Sequence, residues 1–249
     1  MQVVAGRSYF KFNGVSSLDF GLGIEEKKIT KRARKRLSII SVPGRSQDYV
    51  YGDGTWENME VTYRVWCVSK EKDEIFQRVD EIIRWLSPEK YCVLADNYDP
   101  EYFRYGVCTG PVDPELLLRR AARQELVFTC DPYKYSWAGN QVLRFRGTTA
   151  KIHNLEGYEA LPVIRVYGAG SIKLTVNGQS WTLANVATRI DLDSAAMRTT
   201  DGLTGNAADS KKTGSGYPVL VPGENTVTIS GISGGIADQI GIIPRWRRI

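Results

Sequence analysis

The sequence predicts a mainly β protein of two domains that carries a single amphipathic helix, and three observations point there. Short apolar runs alternate with turn signals along most of its 249 residues. One stretch alone keeps a clean helical period, between Glu71 and Leu86. Composition also changes near residue 140, where charges thin out, Gly and Thr increase, and helical patterns disappear. Domains over 1–140 and 141–249 follow.

In the first domain, Tyr9 to Phe12 reads as a strand entering an Asn13-Gly14 turn, and Leu37 to Val42 as a β-branched run stopped by Pro43-Gly44. Met59 to Val68 alternates, with Val61, Tyr63, Val65 and Cys67 on one face; Trp66 and Val68 leave the other partly apolar. The helix has Ser69 as its N-cap, an apolar stripe of Ile75, Val79, Ile82, Ile83 and Leu86, and Pro88 beyond its end. Glu74 with Arg78 and Asp80 with Arg84 are spaced as i,i+4 ion pairs on its wetter side. Glu115 to Glu125 stays ambiguous, because its composition favours helix while Leu126, Phe128 and Cys130 then alternate as a strand.

In the second domain, the segment 171–183 reads as a hairpin about Asn177-Gly178. A two-residue turn pairs Val176 with Gln179, Leu174 with Trp181 and Ile172 with Leu183, so the apolar side chains share one face and make Trp181 core. Residues 199–216 are polar and glycine-rich and read as a long mobile loop.

Little here supports catalysis. The one histidine, His153, has no nucleophile elbow to serve, which excludes a serine-hydrolase reading. Cys67, Cys92, Cys108 and Cys130 form no CxxC pair and read as buried free thiols. Asp191 and Asp193 share a strand face at a separation of roughly 7 Å, within the range of an acid–base pair, but a solvated strand face with Ile190 and Leu192 turned inward is the preferred reading over a catalytic or calcium role. Gly231 to Gly235 lacks the strand-then-helix context of a phosphate loop. No cofactor or metal is expected. The net charge of +5 is concentrated in Lys27, Lys28, Lys31, Arg32, Arg34, Lys35 and Arg36, a run without an acid, so the remainder is slightly acidic. Without interleaved aromatics that run cannot stack bases; it suits phosphates or a neighbour's carboxylates. The closing Arg245-Trp246-Arg247-Arg248 suits either a partner or solvent. No apolar stretch is long enough for a membrane helix, and the opening MQVVAGRSYFKFNG lacks the pattern of a secretory signal.

Several phrases together resemble the distal tail proteins of long-tailed bacteriophages: Phe12-Asn13-Gly14 followed by Leu18-Asp19-Phe20-Gly21-Leu22, Val42-Pro43-Gly44-Arg45 leading to Tyr51-Gly52-Asp53-Gly54, and the strand end Val127 to Tyr135. Gly157 to Val166 and Val221 to Thr226 continue the likeness in the second domain. The resemblance implies a non-enzymatic hexameric ring, single or as two stacked rings, at the virion tail tip, made in the host cytoplasm. It implies an N-terminal β-sandwich with a helix and a protruding hairpin that closes the ring, then a galectin-like sandwich related in shape to carbohydrate-binding modules. Partners implied are the tail tube protein, the tail-associated lysin or fibre hub, DNA passing through the lumen, and a host cell-wall glycan. On that reading the seven basic residues contact a neighbouring subunit or the DNA, and Asp191, Asp193 and Tyr217 are candidate glycan contacts.

Overall fold

The computed structural model describes residues 8–25, 29–68, 74–112, 115–118, 121–233 and 238–249. The chain divides into two compact units, Met1–Lys134 with Ile249, and Tyr135–Arg248.

The first unit opens with β1 (Phe10–Phe12) and β2 (Val15–Ser16), a hairpin about Asn13 and Gly14, whose φ angles of 50° and 82° satisfy a tight turn. There follow β3 (Leu22–Ile24), β4 (Ile29–Thr30), β5 (Lys35–Ile40), β6 (Tyr49–Trp56), β7 (Met59–Val68), the helix α1 (Glu74–Leu86), β8 (Cys92–Asp96), β9 (Tyr102–Cys108), β10 (Glu115–Leu118) and β11 (Ala121–Cys130). The main sheet runs β2-β1-β8-β9-β11-β7-β3, with β10 on β11 and β4 on β7. β7 and β11 pair along ten residues, from Ala121 opposite Val68 to Cys130 opposite Met59. The alternation in β7 is as expected, with Val61, Tyr63, Val65 and Cys67 at 2% exposure or less.

The ambiguous segment is a hairpin, β10 to β11, and not a helix. Helix-favouring composition yields there to the ladder that β11 forms with β7. In α1 the stripe narrows: Ile75, Ile82 and Leu86 are buried, whereas Ile83 is exposed and turns away from the sheet. Arg78 donates from Nη1 to Phe20 O at 3.2 Å; among the described residues Asp80 and Arg84 do not pair with each other, and Gln77 donates to Glu81. Ser69 and the expected first turn from Glu71 lie outside the described residues. Over the sheet, Phe10 stacks on Tyr63 at 4.8 Å and Phe20 on Trp85 at 4.7 Å, and Trp85 donates from Nε1 to Phe12 O.

From β12 (Lys134–Ser136), which straddles the boundary, the second unit continues with β13 (Leu143–Arg146), β14 (Thr149–Asn154), β15 (Val163–Tyr167), β16 (Gly170–Val176), β17 (Gln179–Val186), β18 (Arg189–Asp193), β19 (Arg198–Asp201), β20 (Lys212–Thr213), β21 (Gly223–Ser230), β22 (Asp238–Ile243) and β23 (Arg247–Arg248). Two five-stranded sheets, β13-β22-β15-β18-β19 and β14-β21-β16-β17-β20, send Ile164, Ile190 and Ile240 from one side and Leu174, Leu183 and Val227 from the other into one core, a β-sandwich. The Asn177 hairpin has the expected register, and Trp181 is 1% exposed in the core.

The glycine-rich segment 199–216 is built differently from a loose loop. Asp201 Oδ1 accepts from the N–H groups of Leu203 and Thr204, Asp209 Oδ1 accepts from Thr199 N, and Trp181 Nε1 donates to the carbonyls of Ser215 and Gly216. Side-chain caps of this kind satisfy backbone groups that composition alone leaves unassigned. The closing Arg245 to Arg248 is docked as well. Trp246 packs where Gly139 leaves room, since a Cβ at 139 would lie 2.7 Å from it, and Arg247 Nε donates to Glu159 O at 2.7 Å.

Candidate functional site

One element of the first unit stands apart. β5 and β6 pair only with each other, with Leu37 opposite Gly52, Ile39 opposite Val50 and Ile40 opposite Tyr49. Every residue of β5 is exposed, and Leu37, Ile39, Ile40, Tyr49, Val50 and Tyr51 are each more than half exposed. A lone two-stranded ribbon with apolar side chains in water is marginal by itself and offers free strand edges. Its tip is closed by Arg45 N donating to Val42 O at 3.1 Å, with Gly44 at φ 81°. Near its base, Asp53 accepts from the Thr55 hydroxyl at 2.7 Å and the Thr55 N–H at 2.8 Å, and those bonds hold its carboxyl below the ordinary value.

The basic run leads into this ribbon. Lys27 and Lys28 lie outside the described residues. Lys31 is ion-paired with Glu60, and Lys35 lies 5.4 Å from the centroid of the Trp56 ring. Arg32, Arg34 and Arg36 are exposed, at positions alternating with the buried Ala33 and with Lys35. The apolar exposure of the ribbon was missed in the sequence, where Leu37 to Val42 has the composition of a core strand. The available signal was Leu37, Ile39 and Ile40, which occupy both faces instead of alternating.

In the second unit Asp191 and Asp193 share the outer face of β18, and arginines engage both. Asp191 lies 3.0 Å from Arg189 Nε and 3.7 Å from Arg165 Nε, and burial pushes its carboxyl up against those two cations. Asp193 takes both Arg245 nitrogens, at 2.6 and 2.8 Å, and the N–H groups of Ala195 and Ala196. Burial works against its charge, but the Arg245 bonds together with the Ala195 and Ala196 N–H groups outweigh it and hold the carboxyl below its ordinary value. The Tyr217 hydroxyl lies 3.0 Å from Asp209 Oδ1 and 3.2 Å from Thr199 Oγ1, under Lys212. The structure therefore leaves Tyr217 on a different element from the two aspartates and tied to its own loop. His153 is exposed on β14 opposite Glu224. All four cysteines are free; Cys67, Cys92 and Cys130 are buried, and burial pushes the half-buried Cys108 thiol up to about 11, which makes it a poor nucleophile. Among the described residues no group of acids, cysteines and histidine is arranged to hold a metal, and no helix is long and apolar enough to cross a membrane.

The main sheet from Gly23 to Cys130 coincides with a recognised unit: residues 23–130 match the family of phage tail protein RIFT-related domains. That likeness in sequence spans less than half of the chain. The whole chain also has the fold of the Dit protein (gp 19.1) of phage SPP1, whose crystal structure is described as a paradigm of the hub adsorption apparatus of phages infecting Gram-positive bacteria. The TM-score is 0.72 over 94% of this chain and 96% of that one, at 12% identity. A chain of the phage p2 baseplate, in its activated conformation with Sr, matches at a TM-score of 0.53 and 8% identity, over 98% of this chain and 99% of that one. The resemblance to siphophage distal tail proteins carried by the sequence is thereby borne out, as is the mainly β fold with its helix. No curated protein sequence matches this one.

Proposed function

We propose that this tail protein is a structural adaptor of a phage tail tip. Six copies close a ring that joins the tail tube to the baseplate or fibre hub and lets DNA pass through its lumen. The observation that carries the reading is the β5–β6 ribbon, whose Leu37, Ile39, Ile40, Tyr49, Val50 and Tyr51 are each more than half exposed. Such a patch, on the order of a few hundred Å², marks a contact surface on a monomer. Its occupant is a neighbouring copy of the chain, because repeating the contact around an axis closes a ring. The basic residues Lys31 to Arg36, which lead into the ribbon, then meet acidic groups of that neighbour. DNA that must slide through the lumen gains nothing from being gripped there.

Native mass spectrometry and negative-stain imaging of the full chain test the ring. Wild type gives six-fold rings, alone or with its tail partner. The double substitution Ile39→Lys and Tyr51→Lys leaves a folded monomer. A wild type that stays strictly monomeric under both conditions overturns the proposal.

A second reading, glycan binding by the second unit, is favoured by one observation. An open groove of about 320 Å³, lined by Tyr167, Thr188, Arg189 and Leu203 among others, lies beside the Arg189–Asp191 pair. An aromatic ring with charged neighbours at a groove is a common sugar-contacting arrangement. Cell-wall pull-down by the full chain, weakened by Tyr167→Ala, supports it; binding unchanged by that substitution removes the groove from consideration.

A further inference from the structure

Within the first unit a cavity of about 190 Å³ opens among β4, β7, β8, β9 and Lys134, with Val61, Leu94 and Phe103 supplying its apolar wall. Four charged side chains also line it, and three are matched. Asp96 accepts from the Tyr63 hydroxyl at 2.6 Å and from Tyr98 N at 3.0 Å. Asp99 is ion-paired with Lys134, which lies 4.6 Å from the centroid of the Tyr102 ring.

Arg104 is the exception. Its guanidinium carries five N–H donors, and its hydrogen bond within the protein runs from Nη1 to Pro132 O at a long 3.4 Å. Among the described residues it forms no ion pair. Burial draws its pKa below the ordinary arginine value, while the charges of Asp99 and Asp131 favour the cation from a distance. A half-buried guanidinium turned to a cavity, with no carboxylate in ion-pair contact among the described residues, is complementary to an incoming anion.

We propose that this cavity binds a carboxylate on a short aliphatic stem, clamped by Arg104. Asp96 and Asp99 nearby oppose a doubly charged phosphate, which leaves the singly charged carboxylate favoured. The apolar wall takes the stem, and the volume, roughly that of six water molecules, suits a four-carbon acid. The carboxylate is either that of a free aliphatic acid or that of an Asp or Glu side chain of a second copy of this chain.

Butyrate is the probe, propylamine the control, and the full-length protein the sample. Amide NMR shifts on titration with butyrate should saturate and concentrate at Val61, Leu94 and Arg104, and propylamine should leave them unmoved. Arg104→Gln should weaken binding tenfold or more. If butyrate and Arg104→Gln also weaken self-association in sedimentation, the natural carboxylate is a neighbour's; if self-association is untouched, it is a free acid. Shifts that do not saturate at the cavity, or equal binding by Arg104→Gln, overturn the proposal. Because the wild-type shifts are read directly, a variant that fails to fold does not decide the outcome. None of this depends on the ring, whose failure would be seen in the assembly experiment alone.

Discussion

At the scale of single residues, β18 holds two carboxyls with the same spacing and opposite responses to acid. Arg245 depresses Asp193, while burial raises Asp191. A carboxyl whose folded pKa lies below its unfolded one contributes stability that is complete above the ordinary value of 3.8 and is lost as the pH falls through the folded value. Asp193→Asn should therefore cost about 1 kcal/mol near neutral pH, the low end for a charged hydrogen bond because the pair is partly solvated. Urea unfolding should show the difference from wild type shrinking as the solution is acidified below 3.8. A gap that stays constant with pH would assign the effect to packing. The two aspartates were legible as a shared face, since side chains alternate along any strand. Arg189, two positions before Asp191 on the same strand, was within local reach, but Arg165 and Arg245 come from distant sequence and were not.

Among the elements, the helix and the hairpins separate local from non-local information. Ile75 is wholly buried and Ile83 is not, although both fit the apolar period. Ile75→Ala should cost about 2–5 kcal/mol, and Ile83→Ala less than about 1 kcal/mol. Thermal unfolding of the two variants measures the contrast directly, and equal losses would mean that Ile83 is covered. A period of 3.6 residues locates an apolar stripe but not its edges; the neighbouring elements decide those, here Phe20 beneath Arg78. The Asn177-Gly178 hairpin was legible to the residue, because turn and register are both local. The β10–β11 hairpin was not, because it is settled by β7, more than fifty residues earlier in the chain.

Across the whole molecule there are two cores, one rich in aromatics around Phe10, Tyr63 and Phe128, the other aliphatic around Ile172, Leu174 and Leu183. Phe128→Ala should cost about 3–5 kcal/mol and Leu174→Ala about 2–5 kcal/mol. Hydrogen exchange should show the first variant loosening β7, β9 and β11 and the second loosening β16, β17 and β21, each leaving the other set protected. Loosening of both sets by either substitution would mean that the units unfold as one. The sequence by itself determined the strand-rich class, the amphipathic helix, the Asn-Gly turns and the tail-protein resemblance, since each is written in neighbouring residues. Tertiary structure alone decided which apolar strand stays in water, which carboxyls meet arginines, how the glycine-rich segment is tied down and where Arg104 lies. The physical reason is common to all four: burial and pairing depend on partners far along the chain, and no local pattern encodes a partner's position.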